Sequence, residues 1–196
     1  MFLYGAGGHA KVIMDILKAE GECIEALIDD NQELKEVMGV KVLNGRTEDI
    51  SPLIISIGNN RIRKLIAEKV HATFGTAVHP SAIVSDSVQM GAGTVVMQGA
   101  IIQTCVQIGK HCIINTGASV DHECVIDDFV HISPHCTLCG NVHVGEGTWI
   151  GAGSTIIPGV KIGKWSIVGA GSVVVRDIPD GVLALGNRCE VIKKLQ

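Results

Sequence analysis

Aliphatic residues recur at every sixth position from Val78 onward, and this register continues without a break to Val174. A second series of small or β-branched residues, beginning at Ala82, follows four positions after each member of the first. A six-residue repeat is typical of a parallel β-helix, in which each short strand forms one side of a triangular coil and stacked coils bury one another's inward side chains. With three repeats in each coil, we predict roughly five coils. The aliphatic series comprises Val78, Val84, Met90, Val96, Ile102, Ile108, Ile114, Val120, Ile126, Ile132, Leu138, Val144, Ile150, Ile156, Ile162, Val168 and Val174.

Glycine and cysteine occupy regular places within this repeat. Glycine often follows the aliphatic position directly, as at Gly91 and Gly109, and we expect these glycines to adopt positive φ at the corners between strands. The second series includes Cys112, Cys124 and Cys136. We expect these three cysteines to fill the core rather than to act as nucleophiles.

A different pattern precedes the repeat. Short apolar runs separated by amphipathic segments predict an α/β unit there. We therefore expect two domains, an α/β domain at 1–75 and a β-helix domain at 76–196 that includes the C-terminal tail. The predicted strands span 2–4, 24–28, 40–43 and 53–57, and the predicted helices span about 11–19 and 61–74.

The first strand and helix are joined by a glycine turn. Residues 5–10 read G-x-G-x-x-A, a variant of the dinucleotide-binding fingerprint in which glycines allow close approach of phosphate to a helix N-terminus. A full dinucleotide site needs two such halves, so this half suits a mononucleotide such as a UDP-sugar better than NAD. The acidic pair Asp29 and Asp30 ends the second strand and is a candidate for ribose or base hydrogen bonds. The alternative is a purely structural turn.

Composition and charge narrow the classes of partner. The 196 residues include 16 basic and 20 acidic side chains, a net charge of −4, which disfavours a nucleic-acid binder. No apolar run approaches the roughly 18 residues of a membrane helix, and no targeting segment is visible, so we expect a cytoplasmic protein that does not bind membranes. Seven cysteines without secretory features predict reduced thiols.

Four histidines within one short segment raise the possibility of a metal site. They are His122, His131, His135 and His143. Residues of a β-helix stack when they are 18 apart, and no two of these histidines share such a column. We therefore expect no metal site within one chain, although side chains from different chains could combine to form one.

His122 is the candidate general base. It lies at a predicted coil corner between Asp121 and Glu123, either of which could orient the imidazole. Gly140 follows His122 by 18 residues and is expected directly over it, where its N–H could hold a thioester oxygen as that oxygen becomes negative. The competing interpretation is an ordinary surface histidine on a solvated corner.

Six residues are predicted to form a strip along another corner of the coil, where the small ones leave a groove. His122 lies about half a coil from this strip, too far to cooperate with it in one chain. We therefore predict a homotrimer in which His122 and Glu123 of one subunit face Asn115 and His131 of the next. The strip comprises Asn115, His131, Pro134, Trp149, Ala152 and Ala170.

Taken together, these motifs resemble one family over nearly the whole chain. The motifs are Tyr4-Gly5-Ala6-Gly7-Gly8-His9, Asp29-Asp30, Ser56-Ile57-Gly58-Asn59-Asn60, His79-Pro80-Ser81-Ala82, Asn115 with His122-Glu123-Cys124, Phe129-Val130-His131, and Cys139-Gly140-Asn141-Val142. The chain resembles nucleotide-sugar acetyltransferases of the family that includes UDP-N-acetylbacillosamine-type N-acetyltransferases and sialic acid O-acetyltransferases, which serve bacterial glycan biosynthesis. The resemblance implies a left-handed β-helix.

The resemblance also implies an activity and a set of roles. The expected reaction is transfer of an acetyl group from acetyl-CoA to the amine of a UDP-linked 4-amino-4,6-dideoxy sugar, without a metal. His122 would accept the amine proton and Glu123 would raise its basicity. The residues implied in nucleotide-sugar binding are Gly7, Gly8, His9, Asp29, Asp30, Gly58, Arg61 and Asn115. Those implied in acetyl-CoA binding are His131, Gly140, Ala152 and Ala170.

Three other functions compete with this one. A sialic acid O-acetyltransferase would share both domains but acetylate a hydroxyl. A metal lyase of the γ-carbonic-anhydrase type would use the same β-helix with histidine ligands from two chains. A non-catalytic module would bind the nucleotide sugar without consuming acetyl-CoA.

Overall fold

A computed structural model describes residues 1–45 and 50–195. Its N-terminal part is a five-stranded sheet with the strand order β3-β4-β2-β1-β5 and two helices. Strand β1 pairs in parallel with both β2 and β5, and only β3 runs antiparallel to its neighbour β4. The elements are β1 (Phe2–Tyr4), α1 (Gly8–Glu20), β2 (Ala26–Asp29), β3 (Glu36–Val37), β4 (Val40–Asn44), β5 (Leu53–Ile55) and α2 (Asn60–Lys69).

The predicted α/β pattern is confirmed, with differences at the ends of the elements. Helix α1 begins at Gly8 within the glycine turn rather than at residue 11, and it ends where Gly21 adopts a left-handed conformation. Helix α2 ends at Lys69 instead of continuing to Phe74, because Phe74 forms a bridge with Leu53 beside the sheet.

The predicted β-helix is also confirmed. Seventeen two-residue strands, β6 to β22, form three parallel sheets that make the sides of the coil. Paired residues are 18 positions apart, as in Ile101 with Ser119 and Ile113 with His131. The strands are β6 (Ala77–Val78), β7 (Ile83–Val84), β8 (Gln89–Met90), β9 (Val95–Val96), β10 (Ile101–Ile102), β11 (Gln107–Ile108), β12 (Ile113–Ile114), β13 (Ser119–Val120), β14 (Val125–Ile126), β15 (His131–Ile132), β16 (Thr137–Leu138), β17 (His143–Val144), β18 (Trp149–Ile150), β19 (Thr155–Ile156), β20 (Lys161–Ile162), β21 (Ile167–Val168) and β22 (Val173–Val174). A hairpin of β23 (Val182–Leu185) and β24 (Glu190–Lys194) then extends one sheet.

Both inward series are buried along the coil. The aliphatic series from Val96 to Val174 belongs to one hydrophobic core, together with Cys112, Cys124 and Cys136. Polar members of the second series bond to corner carbonyls. For example, the hydroxyl of Thr148 donates to the Gly163 carbonyl at 2.6 Å, which satisfies both groups inside the core.

The expectation about the corner glycines was wrong. Gly91 and Gly109 do not have positive φ. They are glycines because the next coil passes too close: a β-carbon on Gly91 would lie 2.6 Å from the carbonyl carbon of Gly109. Left-handed residues occur two positions later, at every sixth residue from Gly93 to Gly171, and half of them are not glycine.

The α/β part and the β-helix share a core. Buried residues of α1 belong to the same hydrophobic cluster as Ala77, Val95 and Ile113 of the β-helix. The placement of a domain boundary between residues 75 and 76 stays a prediction. In the part of the chain that the structure describes, no helix is both long and apolar enough to span a membrane.

Candidate active site

His122 and Glu123 form a hydrogen-bonded pair at one corner of the coil. They lie in the turn between β13 and β14, and the distance between His122 Nδ1 and Glu123 Oε2 is 3.1 Å. The Asp121 carboxylate instead accepts the backbone N–H of His122 at 2.8 Å. Of the two carboxylates that the sequence left open, Glu123 therefore contacts the ring, and within residues 1–45 and 50–195 no protein atom is hydrogen-bonded to Nε2.

The next coil places Gly140 against the imidazole. A β-carbon on Gly140 would lie 2.6 Å from Nε2 of His122, so the ring needs a glycine at this position. Stacking of the two corners is fixed by a hydrogen bond of 2.9 Å from Asn141 N–H to the His122 carbonyl. Among the described residues, the Gly140 N–H donates to no protein acceptor, so a donor is free beside the imidazole.

Asn115 and His131 form a second pair on a different side of the coil. Asn115 Nδ2 lies 3.1 Å from His131 Nε2, while Asn115 Oδ1 accepts the Thr116 N–H at 2.8 Å. Since the amide nitrogen can only donate, His131 accepts at Nε2 and carries its ring proton at Nδ1. Burial, with the charges of Arg63 and His9, lowers the pKa of His131 to about 3. The ring is therefore neutral at physiological pH.

The two pairs lie apart within one chain. His131 belongs to the sheet of β12, β15 and β18, whereas His122 is at the corner between the other two sheets. The structure therefore does not bring His122 and Glu123 into contact with Asn115 and His131. Ala152 and Ala170 lie exposed in one column beside the second pair, joined through a hydrogen bond of 2.8 Å from Gly171 N–H to the Ala152 carbonyl.

The glycine turn forms an open surface at the start of α1. A β-carbon on Gly7 or Gly8 would meet no atom within 4 Å, and no side chain caps the helix. Space of this kind at a helix N-terminus suits a phosphate group. The adjacent His9 has a buried Nε2 without a hydrogen-bond partner in the described chain, and burial together with Arg63 lowers its pKa to about 4.

The acidic pair has two different environments. The Asp29 carboxylate accepts hydrogen bonds from the backbone N–H groups of Ala6 at 2.8 Å and Asn31 at 2.9 Å. Asp29 therefore holds the glycine turn in place through Ala6. Asp30 is exposed, and its carboxylate lies 3.5 Å from the Tyr4 hydroxyl. Asp30 is thus the more accessible acceptor for a ligand.

A cavity of about 420 Å³ separates the loop after β5 from the outer face of the β-helix. Three residues implied by the sequence line it, namely Gly58, Arg61 and His131. Its aromatic wall consists of Trp149, which the sequence placed in the predicted strip, and Trp165, which sequence analysis did not mention. Trp149 stacks on the His131 ring with centroids 6.0 Å apart, and the Arg61 guanidinium lies 5.3 Å from the Trp165 ring centre.

Sequence analysis gave no individual role to two buried polar residues of α2, Arg63 and Asn60, although Asn60 stands in one of the family motifs. Arg63 is 1% exposed and donates hydrogen bonds to backbone carbonyls of the loop after β5 and of the β-helix. Asn60 donates to the carbonyl of Gly147 at 3.0 Å. A basic residue in a polar helix is usually solvated, so the sequence carried no signal for this burial.

Comparison with known proteins identifies relatives for both parts of the chain. The family model of the PglD N-terminal domain matches residues 1–70, and that of the bacterial transferase hexapeptide (six repeats) matches residues 141–176. PerB from Caulobacter crescentus, solved in complex with CoA and GDP-perosamine, is 42% identical with a TM-score of 0.93, covering 98% of this chain and 96% of that one. The chain belongs to the hexapeptide-repeat acetyltransferases with a PglD-type N-terminal domain.

Two further members of this acetyltransferase family are similar. The acetyltransferase domain of PglB from Neisseria gonorrhoeae, in complex with acetyl coenzyme A, is 36% identical with a TM-score of 0.90, covering 97% of this chain and 98% of that one. The UDP-N-acetylbacillosamine N-acetyltransferase of Bacillus subtilis is 44% identical over 98 residues, which are 43% of this chain and 45% of that protein. The match thus spans about half the length of that curated relative.

Cys124, which follows Glu123, does not offer a nucleophile to this acetyltransferase. Cys124 is completely buried, and burial raises the pKa of its thiol to about 11. Its thiol donates to the Cys139 carbonyl at 3.2 Å inside the coil. The expectation that Cys124 fills the core is confirmed. Within residues 1–45 and 50–195, no three His, Cys, Asp or Glu side chains are grouped as a metal site would require.

Proposed function

We propose that this protein transfers the acetyl group of acetyl-CoA to the amine of a UDP-linked 4-amino-4,6-dideoxy sugar. The observation that carries the proposal is the His122–Glu123 pair stacked against Gly140. It combines a proton acceptor, a carboxylate that orients it and a free N–H donor at one corner. The likeness to perosamine N-acetyltransferase over nearly the whole chain supports the choice of an amine as the acceptor.

In the proposed reaction, the acceptor amine attacks the thioester carbon directly. The new C–N bond forms as the amine proton moves to His122 Nε2, which the hydrogen bond of Nδ1 to Glu123 keeps available as a base. The Gly140 N–H would stabilise the negative carbonyl oxygen of the tetrahedral intermediate. The C–S bond then breaks, and the proton passes from His122 to the CoA thiolate. Direct transfer needs no acyl-enzyme, in agreement with the burial of Cys124 inside the coil.

The α/β part supplies the proposed nucleotide-sugar site. The diphosphate would lie at the open turn of Gly7 and Gly8, beside His9, and Asp30 would accept hydrogen bonds from the ribose or base. Asp29 would act by supporting this turn. Gly58 and Arg61 would contact the ligand from the cavity next to His131.

The proposed active site lies between subunits of a homotrimer. The separation of the two pairs in one chain supports this arrangement, because His122 and Glu123 can meet Asn115 and His131 only across an interface. The CoA chain would then follow the exposed column of Ala152 and Ala170 toward Gly140. Small side chains in this column leave room for an extended ligand.

A single assay tests the proposed activity. Purified protein is offered acetyl-CoA with a UDP-linked 4-amino-4,6-dideoxy sugar, its GDP-linked counterpart, or free sialic acid, and thiol release is followed with product analysis. We expect release and an N-acetylated product with the UDP-linked amine. Turnover with the GDP-linked amine alone would correct the nucleotide. Turnover with sialic acid alone would replace the proposal with O-acetylation, and no turnover with any acceptor would reject it.

A further inference from the structure

Helix α2 is fixed to one corner column of the β-helix. Arg63 Nε donates to the His111 carbonyl at 2.8 Å, and Arg63 Nη2 donates to the Phe129 carbonyl at 2.9 Å. Asn60 Nδ2 donates to the Gly147 carbonyl at 3.0 Å. These three acceptors are 18 residues apart and all have positive φ, so they are the same corner of three successive coils.

The same guanidinium holds the loop that follows β5. Arg63 Nη1 donates to the carbonyls of Ile57 at 2.9 Å and Gly58 at 3.2 Å, and Nη2 donates to Asn60 Oδ1 at 2.8 Å. Every polar atom of the planar fork is thus directed to a neutral oxygen. A buried guanidinium with this many fixed donors sets a rigid geometry that a flexible lysine cannot reproduce.

The parts joined in this way contribute to different halves of the proposed reaction. Gly58 belongs to the loop that would contact the nucleotide sugar, whereas Phe129 lies two residues before His131, the first residue of β15. Arg63 therefore links the nucleotide side of the site to the face where the acetyl group would arrive. An acceptor that binds at both places must match the span between them.

We propose that Arg63 and Asn60 are positioning residues that set the span between the nucleoside diphosphate and the reacting amine of the acceptor. The inference rests on the proposed function, and Arg63 is assigned no contact with substrate. UDP alone would bind only the α/β part, and CoA alone would bind only the β-helix groove. Only a nucleotide-linked acceptor contacts both parts, so its turnover depends on how the α/β part is placed relative to the β-helix.

The test uses Arg63→Lys and Asn60→Ala in the full chain. We expect the affinities for UDP alone and for CoA alone, measured by calorimetry, to stay within about twofold of wild type. For the nucleotide-linked amino sugar, kcat should fall about ten- to a hundredfold, since a displacement near 1 Å costs about two orders of magnitude in rate. Lys69 is an exposed basic residue at the end of the same helix, and Lys69→Met is the matched control. It should change neither the ligand affinities nor kcat.

Two results would overturn the inference. One is unchanged kcat in both variants. The other is a loss of UDP or CoA affinity that parallels the loss of kcat, which would indicate general structural damage. If Arg63→Lys does not fold, Asn60→Ala carries the same test, because it removes the Gly147 contact and one acceptor of Arg63. If the wild-type protein turns over no nucleotide-linked amine, the proposed function itself is rejected. If the wild type is active and both variants have the same kcat as wild type, only the positioning role is rejected.

Discussion

The imidazole of His122 lies against the α-carbon of Gly140, one coil further along the β-helix. A β-carbon at Gly140 would be 2.6 Å from both Cε1 and Nε2 of the ring. The close contact brings Nε2 of the proposed base next to the backbone of Gly140, whose N–H donates to no acceptor in the described part of the chain. One glycine therefore serves two purposes at this corner, room for the ring and access to the backbone amide.

Gly140→Ala should abolish most of the activity. The added methyl group forces the His122 ring away from the Gly140 N–H, so the base and the oxyanion donor lose their common geometry. Loss of one oxyanion donor costs about a hundredfold or more in kcat. Steady-state kinetics test this, with thermal unfolding and CoA binding measured on the same variant. An active Gly140→Ala enzyme with kcat near wild type would contradict the assignment.

Glu123→Gln should lower kcat more than Asp121→Asn. The Glu123 carboxylate contacts the imidazole, whereas the Asp121 carboxylate accepts a backbone N–H. His122→Ala should cost about two to four orders of magnitude, the usual contribution of a general base. Each variant is compared by its pH–rate profile. A larger loss in Asp121→Asn than in Glu123→Gln would reverse the assignment of the partner.

Co-assembly of two inactive variants should restore activity. If the site lies between subunits, a trimer that mixes His122→Ala chains with Asn115→Ala chains contains at least one interface with both native residues. Mixed trimers, prepared by co-expression with two different tags, should therefore regain a substantial fraction of wild-type turnover. Trimers of either variant alone stay inactive. Inactive mixed trimers would contradict the proposed arrangement, in which His122 and Asn115 of different subunits share one site.

Acid should destabilise the folded protein through one buried and two half-buried histidines. Burial lowers the pKa of His111 and of His9 to about 4, and that of His131 to about 3, below the 6.5 of an unfolded histidine. Their stabilising contribution is complete above pH 6.5 and is lost as the pH falls toward 4, because the unfolded chain binds more protons in that window. Each group contributes about 1.4 kcal/mol per pH unit there.

The variant His111→Gln should reduce this pH dependence. The His111 ring is stacked on Phe129 and packed against Phe74, and near it are the charges of Arg63, Asp128 and Lys110. Urea unfolding between pH 4.5 and pH 7 should show a slope smaller by one proton than that of wild type. His71→Gln, at an exposed position, should leave the slope unchanged. Equal slopes in all three proteins would exclude His111 as a contributor.

The repeat allowed contacts across the coils to be predicted by arithmetic. Residues 18 apart are stacked, as Gly140 is over His122, because each strand pairs with its equivalent in the next coil. The same arithmetic separated His122 from His131. The expectation about glycine placed the left-handed residues at the wrong repeat position. Gly91 is required by the close approach of the next coil, whereas positive φ occurs two residues later, at Gly93 and its equivalents.

The sequence by itself determined the β-helix, the α/β part and the column that holds His122. In a β-helix, local spacing dictates which residues stack, so a short pattern carries long-range information. Only the tertiary structure decided that Glu123 rather than Asp121 meets the ring, that Asn115 bonds His131, and that Arg63 is buried. These contacts depend on the direction of each side chain and on how the α/β unit packs against the coil. The six-residue periodicity of the sequence specifies neither the side-chain directions nor that packing.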